Sequence, residues 1–218
     1  MTDLDKLLNQ QEIELECEKY HVRVVYQKEH KDLAQESDKI LLDSDNEGTL
    51  LVIIDNKEGT GNRGIIKTRG GFYLLAKDER GAQSIKLEED YLYLSLETEF
   101  ICINLLEFNI HWNVEPDRTA VFEFYDIDND FLLRGESEIH RISKNGDIVW
   151  SFGGKDIFVN MDGKDEVRIM DNFILLTDFD NNNYQIDFNG KLIERQELKT
   201  TSSVFERISI RIKKFLKL

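Results

Sequence analysis

Apolar and polar residues alternate along much of this chain with the period of a β-strand. Residues 13–17 and 20–26 each place an apolar side chain at every second position. A period of two is typical of a strand that buries one face, so both segments are predicted strands. A short helix is expected before them over residues 2–8. The polar residues 27–38 are expected to form a loop or one or two exposed helical turns.

An apolar stretch recurs about every forty residues through the middle of the chain. Its four copies begin at Leu50, Tyr91, Phe131 and Phe173. Four short strands in about forty residues is the pattern of a β-propeller blade. We therefore predict an all-β fold with four antiparallel strand repeats over residues 49–196. These repeats form either a propeller-like body or a twisted meander, and the first repeat is the least regular.

Turn sequences divide the later repeats into hairpins. The segment RISKNGDIVWSF (residues 141–152) aligns without a gap with QIDFNGKLIERQ (residues 185–196). Each places Asn-Gly between two apolar runs, which favours a β-hairpin with a type I′ turn and positive φ at both central residues. Asp162-Gly163 predicts a further hairpin by the same argument.

The segments IHRISKNGDIVWSF and YQIDFNGKLIE resemble blades of quinoprotein-like and WD-repeat β-propellers. The resemblance covers residues 49–196 and implies a body built from propeller-like blades. This chain departs from that family in lacking the Trp-Asp ending. It also repeats the family's tryptophan in only two units, at Trp112 and Trp150.

The end of the chain predicts a basic amphipathic helix over residues 203–218. Ser203 and Glu206 have the spacing of a capping box. The apolar positions recur with helical spacing and the bases lie late in the segment, where the helix dipole favours cations. The residues expected to dock this helix, on the β body or on a membrane, are Phe205, Ile208, Arg211, Ile212, Lys213, Lys214 and Phe215. Because Ile208, Ile210 and Ile212 also alternate, a closing strand is the competing interpretation.

These elements predict a single domain over residues 1–218. Its parts are N-terminal strands with a loop in residues 1–48, the β-repeat body in residues 49–196, and the basic helix. The first residues carry no basic stretch followed by an apolar one, and no apolar run is long enough to span a membrane. The two cysteines lie far apart and are expected to stay reduced. We therefore expect a cytoplasmic protein.

Charge adds a prediction about partners. The chain has 43 acidic and 28 basic residues, a net charge of -15 at pH 7. Such a surface repels phosphate, which argues against nucleic acid, and attracts a basic protein. Solubility alone is the alternative reason for the acidity. Acidic residues near strand ends are the predicted partner-binding positions, namely Asp126, Asp128, Asp130, Asp178 and Asp180.

Motifs that suggest chemistry are incomplete. Gly59, Gly61 and Gly64 have dinucleotide-binding spacing, but the residues that follow predict strand, glycine turn and strand. The required helix N-terminus is missing, so we interpret the glycines as turn residues. The run from Asp126 begins like a calcium loop, but Phe131 and Ser137 occupy the positions of its glycine and bidentate glutamate. We predict no catalytic residue, no metal site and no cofactor.

Together these features predict a non-catalytic, acidic protein-binding module. One concrete form is an immunity or antitoxin-type inhibitor of a basic toxin domain. Two alternatives stay open. The first is a carboxylate-dependent enzyme or a ligand-binding β scaffold, in which carboxylates converge in a pocket. The second is a peripheral membrane protein attached by the basic C-terminal helix, although packing of that helix on the β body is the favoured interpretation.

Overall fold

The first five strands of the chain form one sheet. The computed structural model describes residues 10–27, 38–43, 48–56, 61–68 and 74–196, and all regular elements in these ranges are strands. Within these ranges there is no helix long and apolar enough to cross a membrane. The strands of the first sheet are β1 (Gln10–Glu16), β2 (Tyr20–Gln27), β3 (Lys39–Asp43), β4 (Gly48–Asn56) and β5 (Gly61–Thr68).

The first sheet has the order β1-β2-β4-β5-β3. Its neighbours are antiparallel except β3, which pairs in parallel with β5. The first predicted repeat therefore departs from the others, because Leu50 lies in a sheet completed by the N-terminal strands. Residues 50–54 of β4 are all buried, which explains why this strand is a continuous apolar run instead of an alternating one. The strand predicted after the glycine string is present as β5. Gly61 and Gly64 lie within β5, paired with Asp55 and Val52, so the interpretation of these two as turn residues is wrong. Gly59 lies outside the described residues.

Three four-stranded antiparallel sheets follow, each with its strands in chain order. The second sheet contains β6 (Ile85–Glu88), β7 (Tyr91–Leu96), β8 (Glu99–Asn104) and β9 (Asn109–Val114). The third contains β10 (Val121–Ile127), β11 (Asp130–Gly135), β12 (Glu138–Ile142) and β13 (Ile148–Gly153). The fourth contains β14 (Val167–Ile169), β15 (Ile174–Thr177), β16 (Asn183–Ile186) and β17 (Leu192–Gln196).

These three sheets have the strand order of propeller blades. The predicted repeat starts lie at equivalent places, with Tyr91 opening β7, Phe131 in β11 and Phe173 directly before β15. The all-β prediction and the resemblance to WD-repeat-like blades are confirmed at the level of these strand units. The predicted helices over residues 2–8 and 203–218, with all the docking residues of the second, lie outside the described residues.

The chain divides after Phe158 into two compact units, the first ending there and the second beginning at Val159. In the first unit, the first two sheets share a core of aliphatic and aromatic side chains that includes Val24, Val52, Leu94 and Ile101. The second and third sheets share a more aromatic core. That core is built from Tyr93, Phe100, Cys102, Val121, Phe124, Phe131, Leu133 and Ile142.

Five loops share one design, in which a polar side chain accepts hydrogen bonds from backbone N–H groups two or four residues later. In the β12–β13 hairpin, Ser143 Oγ accepts from the N–H groups of Asn145 and Asp147 at 3.2 and 3.1 Å. Gly146, three residues after Ser143, has a φ of 86°. The same role is taken elsewhere by Asp78, Asn160, Asp178 and Asp187.

The hairpins at Asn145-Gly146 and Asn189-Gly190 form as predicted, but the predicted type I′ geometry is wrong. Only the glycine of each pair has a positive φ, and the Gly146 N–H donates to the Ser143 carbonyl at 3.0 Å. This is the geometry of a type I turn followed by a bulge. The hairpin predicted at Asp162-Gly163 does not form. The side chain of Asn160 caps a loop at this position, where the prediction placed a strand.

Gly146→Ala should destabilise the protein more than Gly81→Ala, although both glycines have a φ of 86°. Both changes place a Cβ in the left-handed region, at a cost of about 1 kcal/mol. At Gly146 the new atom would also lie 2.8 Å from the Trp112 ring, whereas at Gly81 the nearest atom is 3.9 Å away. We expect this overlap to add about 1–3 kcal/mol. Urea denaturation measures both, and equal destabilisation would show that Trp112 does not fix this turn.

Candidate functional site

A pocket with a volume of about 350 Å³ opens in the first compact unit, where hairpin ends of the second and third sheets meet. That volume lies at the lower end of the range for small-ligand sites. Its walls come from the β6–β7 hairpin, strand β9 and two turns of the third sheet, and include Glu88, Glu89, Tyr91, His111, Asn129 and Lys144.

Strand geometry gives the pocket its aromatic wall. Tyr91 and Tyr93 are two residues apart in β7 and so share one face of the sheet. Their ring centroids are 6.4 Å apart. His111 from β9 adds a third ring, 5.3 Å from Tyr91 and tilted by 42°. The interleaved Leu92 and Leu94 point to the opposite face and are buried in the core shared with the first sheet.

The β12–β13 turn forms the facing wall and is held by two contacts. Trp112 Nε1 donates a hydrogen bond to the carbonyl of Lys144 at 2.9 Å. The Lys144 ammonium lies over the rings of Phe131 and Tyr93, 3.9 and 4.9 Å from their centroids. Lys144 also forms an ion pair with Glu88. The turn is therefore fixed at its backbone and at its side chain.

A chain of alternating charges runs from the pocket to the neighbouring strand. Glu88 pairs with Lys144 and, at 3.2 Å, with Lys86. Lys86 also reaches Asp126 at 2.6 Å, and Lys77 pairs with the same carboxylate at 3.0 Å. Burial alone would raise the pKa of Glu88, but the hydrogen bond from Lys144 and the nearby positive charges hold it below its ordinary value. Burial likewise opposes ionisation of Asp126, and Lys86 and Lys77 outweigh it to lower the pKa.

Glu89 differs from the two acidic residues beside it in sequence. Glu88 is paired with Lys144, and Asp90 accepts hydrogen bonds from Lys19 and from the Tyr20 hydroxyl at 3.0 Å each. The Glu89 side chain is exposed at the pocket and has no ion pair with any described residue. Its charge interacts with the Lys19 ammonium, which is itself bound to Asp90, so Glu89 is the carboxylate of the pocket lining that has no ion pair with a described residue.

The predicted partner-binding residues of the third sheet border this pocket. Asp126 lies in the charge network described above, and Asp130 binds the Arg141 guanidinium at 2.6 Å. Asp128 is 3.4 Å from the same guanidinium and is exposed in the β10–β11 turn. Asn129, between these two aspartates, lines the pocket. All three carboxylates are therefore engaged within the chain, and their role with a partner stays a prediction.

The other two predicted partner-binding residues lie in the second compact unit. Asp178 is buried and accepts hydrogen bonds from the Tyr184 hydroxyl at 2.7 Å and from the Asn182 backbone at 2.8 Å. These contacts give it a structural role as a loop cap. Asp180 is exposed and forms no ion pair with the part of the chain that the structure describes. The pairing of these residues with a partner stays a prediction as well.

Sequence reasoning missed the residues that build the pocket. Glu88 and Glu89 were hidden among many acids, and Lys144 and His111 have no motif around them. The signal that could have found the site is the segment EEDYLY at residues 88–93, in which an acidic turn precedes two tyrosines at strand spacing. Contact with the third sheet has no local signal, because it depends on packing between repeats.

The pocket offers groups that can hold a ligand. Among the residues with described positions, no group of three or more His, Cys, Asp or Glu side chains could hold a metal ion. The lowered pKa of Glu88 keeps this carboxylate ionised, whereas a general acid needs a carboxyl group that holds its proton near neutral pH. Ring faces, a carboxylate without an ion pair and the amide of Asn129 are groups that bind and orient a polar or cationic ligand.

No protein-family model matches the sequence, and no curated protein matches it either. Several solved structures are similar to the chain. The WD40 domain of Pan2 from Neurospora crassa has a TM-score of 0.41 at 14% identity and is matched over 54% of this chain and 38% of its own. BamB from Moraxella catarrhalis has a TM-score of 0.41 at 12% identity, with 85% and 63% covered.

AztD from Citrobacter koseri, in its apo form, has a TM-score of 0.43 at 12% identity, with 86% of this chain and 60% of that chain covered. The present chain thus spans less than two thirds of the length of each of these three proteins.

Proposed function

We propose that this protein is a non-catalytic, acidic binding module that engages a basic protein partner through its propeller-like β-repeat body. The observation that carries the proposal is a pocket lined by the Tyr91 and His111 rings and by Glu89, an exposed carboxylate with no ion pair to a described residue. In its biological form, the module is a cytoplasmic immunity or antitoxin-type protein that blocks a basic toxin domain by binding it stoichiometrically.

Electrostatics support this function at two distances. At long range, a net charge of -15 steers a cationic partner toward the protein and raises the rate of association. At short range, the lysines near the pocket are already paired, since Lys144 contacts Glu88 and Lys19 contacts Asp90. A partner's cation therefore meets a net negative surface at Glu89 without displacing an existing ion pair.

A binding role also suits the rigidity of this site. The β12–β13 turn is fixed by Trp112, and the β6–β7 hairpin is tied to the first sheet by Lys19 and Tyr20. Preorganised groups lose less conformational entropy on association, which favours affinity. The alternative of membrane attachment depends on residues 203–218, which lie outside the described residues.

The test is a screen for 1:1 complexes with basic proteins, above all the product of an adjacent gene. We expect a complex whose association rate falls at least about tenfold when salt rises from about 0.01 to 0.15 M, since screening removes the steering. Acidic proteins of similar size are the matched control and should not bind. A complex with no salt dependence, or no complex with any basic partner, would contradict the proposed function.

A further inference from the structure

We propose that the pocket between the β6–β7 hairpin and the β12–β13 turn receives a single arginine side chain of the partner. This inference rests on the proposed function and specifies the group that the partner contributes. The guanidinium would stack on the wall formed by Tyr91 and His111 and donate hydrogen bonds to the Glu89 carboxylate. The walls and the charges of the pocket each support this assignment.

The aromatic wall selects a flat cationic group. The ring centroids of Tyr91 and His111 are 5.3 Å apart and the ring planes are tilted by 42°. The two rings are therefore not stacked face to face, and they form a shallow cleft. His111 is exposed and Tyr91 is half-buried, which leaves ring surface open to a ligand. A guanidinium over such a ring is attracted by the negative face of the ring, and the attraction is stronger once water is excluded.

Neighbouring rings in the interior of the same site already bind a cation. Lys144 already covers Phe131 and Tyr93, so those ring faces are taken. Its charge is offset by Glu88, and Lys86 is offset by Asp126. The pocket lining beside Tyr91 includes Glu89, which forms no ion pair with a described residue, and no described cation lies over the Tyr91 ring. An incoming arginine would lie over a ring and pair with a carboxylate, as Lys144 already does in the same pocket.

Arginine suits this position better than lysine. Its guanidinium is planar, is weakly hydrated and presents a fork of N–H donors that matches both oxygens of a carboxylate. A lysine ammonium is more strongly hydrated and binds as a point charge. The pocket is open and small, at about 350 Å³, so one extended side chain fills it and a larger cofactor does not.

The experiment uses the full chain and three short, otherwise identical peptides that carry arginine, lysine or citrulline at one position. Citrulline keeps the shape of arginine and removes its charge. Calorimetric titration at low salt should give the tightest binding for arginine, about threefold weaker binding for lysine and at least about tenfold weaker binding for citrulline. Equal affinity for arginine and citrulline would overturn the inference.

Two pocket variants and one control localise the binding. Glu89→Gln should weaken the arginine peptide about tenfold and Tyr91→Ala about fivefold, since they remove the charge-assisted hydrogen bonds and the ring. Glu79→Gln, at another exposed glutamate without an ion pair to any described residue, should change nothing. Unchanged urea denaturation of Glu89→Gln ensures that the loss is one of binding and not of folding.

The two proposals fail in different ways. If a basic partner binds the protein but its affinity is unaffected by Glu89→Gln and Tyr91→Ala, the arginine pocket is wrong and the binding function stands. If the arginine peptide binds with the expected selectivity while no basic protein forms a complex, the pocket stands and the partner proposal is wrong.

Discussion

Phe131→Ala is expected to destabilise the first compact unit by about 3–5 kcal/mol, the range for deleting a buried aromatic side chain. The Phe131 ring is fully buried, with centroids 4.6 Å from Tyr93 and 5.3 Å from both Phe100 and Phe124. It also carries the Lys144 ammonium over its face. Truncation would leave a cavity between the second and third sheets and remove the ring that the Lys144 ammonium covers. Urea denaturation followed by tryptophan fluorescence measures this loss, because Trp112 and Trp150 both lie in this unit.

Phe122→Ala is the matched control on the adjacent strand β10. The Phe122 side chain is 37% exposed, and its described ring contact is with the Arg134 guanidinium at 4.4 Å. We expect its loss to cost less than about 1 kcal/mol. If the two truncations were equally costly, the aromatic core between the sheets would not be what joins them.

Asp117→Ala is expected to cost about 2–4 kcal/mol, because it removes several hydrogen bonds to a buried, charged acceptor. The Asp117 carboxylate accepts hydrogen bonds from the N–H groups of Thr119, Ser137 and Glu138 at 3.0, 2.9 and 3.1 Å, and from the Thr119 hydroxyl at 2.7 Å. It thereby ties the segment before β10 to the β11–β12 turn. A Cβ at Gly135 would overlap this carboxylate, so the glycine is required for the close approach.

The same carboxylate makes the unfolding free energy of the protein decrease at low pH. Burial opposes its charge, but the hydrogen bonds from Thr119, Ser137 and Glu138 outweigh burial and lower the pKa of Asp117 in the folded protein. A lowered folded pKa contributes stability that is complete above the unfolded pKa of about 3.9 and is lost as pH falls through the folded value. Asp117→Asn should therefore show a smaller decline in unfolding free energy below about pH 4 than the parent protein.

Glu115→Ala is the control for both measurements, since Glu115 is exposed two residues earlier and forms no ion pair among the described residues. It should change stability by less than about 0.5 kcal/mol and leave the decline in unfolding free energy at low pH unaltered. The role given to Asp117 would be contradicted if Asp117→Ala were as stable as the parent protein. It would also be contradicted if the unfolding free energies of Asp117→Asn and the parent declined equally at low pH.

Strand positions and repeats were predictable from local pattern alone. Tyr91 and Phe131 mark the second strand of their sheets because a buried strand after a tight turn has the same local signature each time. Leu50 begins a similar apolar run without the acidic or amide residue before it, and it lies in a sheet completed by β1, β2 and a parallel β3. Parallel pairing is a long-range contact, and nothing in the residues of β3 announces it.

The turns show how side chains override a simple rule. Asn-Gly predicted a type I′ turn, yet Ser143 and Asp187 accept backbone hydrogen bonds that stabilise a type I turn with a bulge. Counting back three residues from each glycine to a polar side chain would have predicted this geometry. The pocket was harder to predict, because Lys144 and Glu88 meet only when two repeats pack.

The central claim is that a cationic group enters the pocket of the first unit, and a spectroscopic titration tests it most directly. The labelled full chain would be titrated with N-acetyl-arginine amide while ¹H–¹⁵N spectra are recorded. We predict that the largest shifts occur at the side-chain amides of Asn129 and Asn145 and at the backbone amides of Glu89 and Tyr91, which surround the pocket. Shifts centred on Asp180 in the second unit, or no saturable shift at all, would contradict the claim.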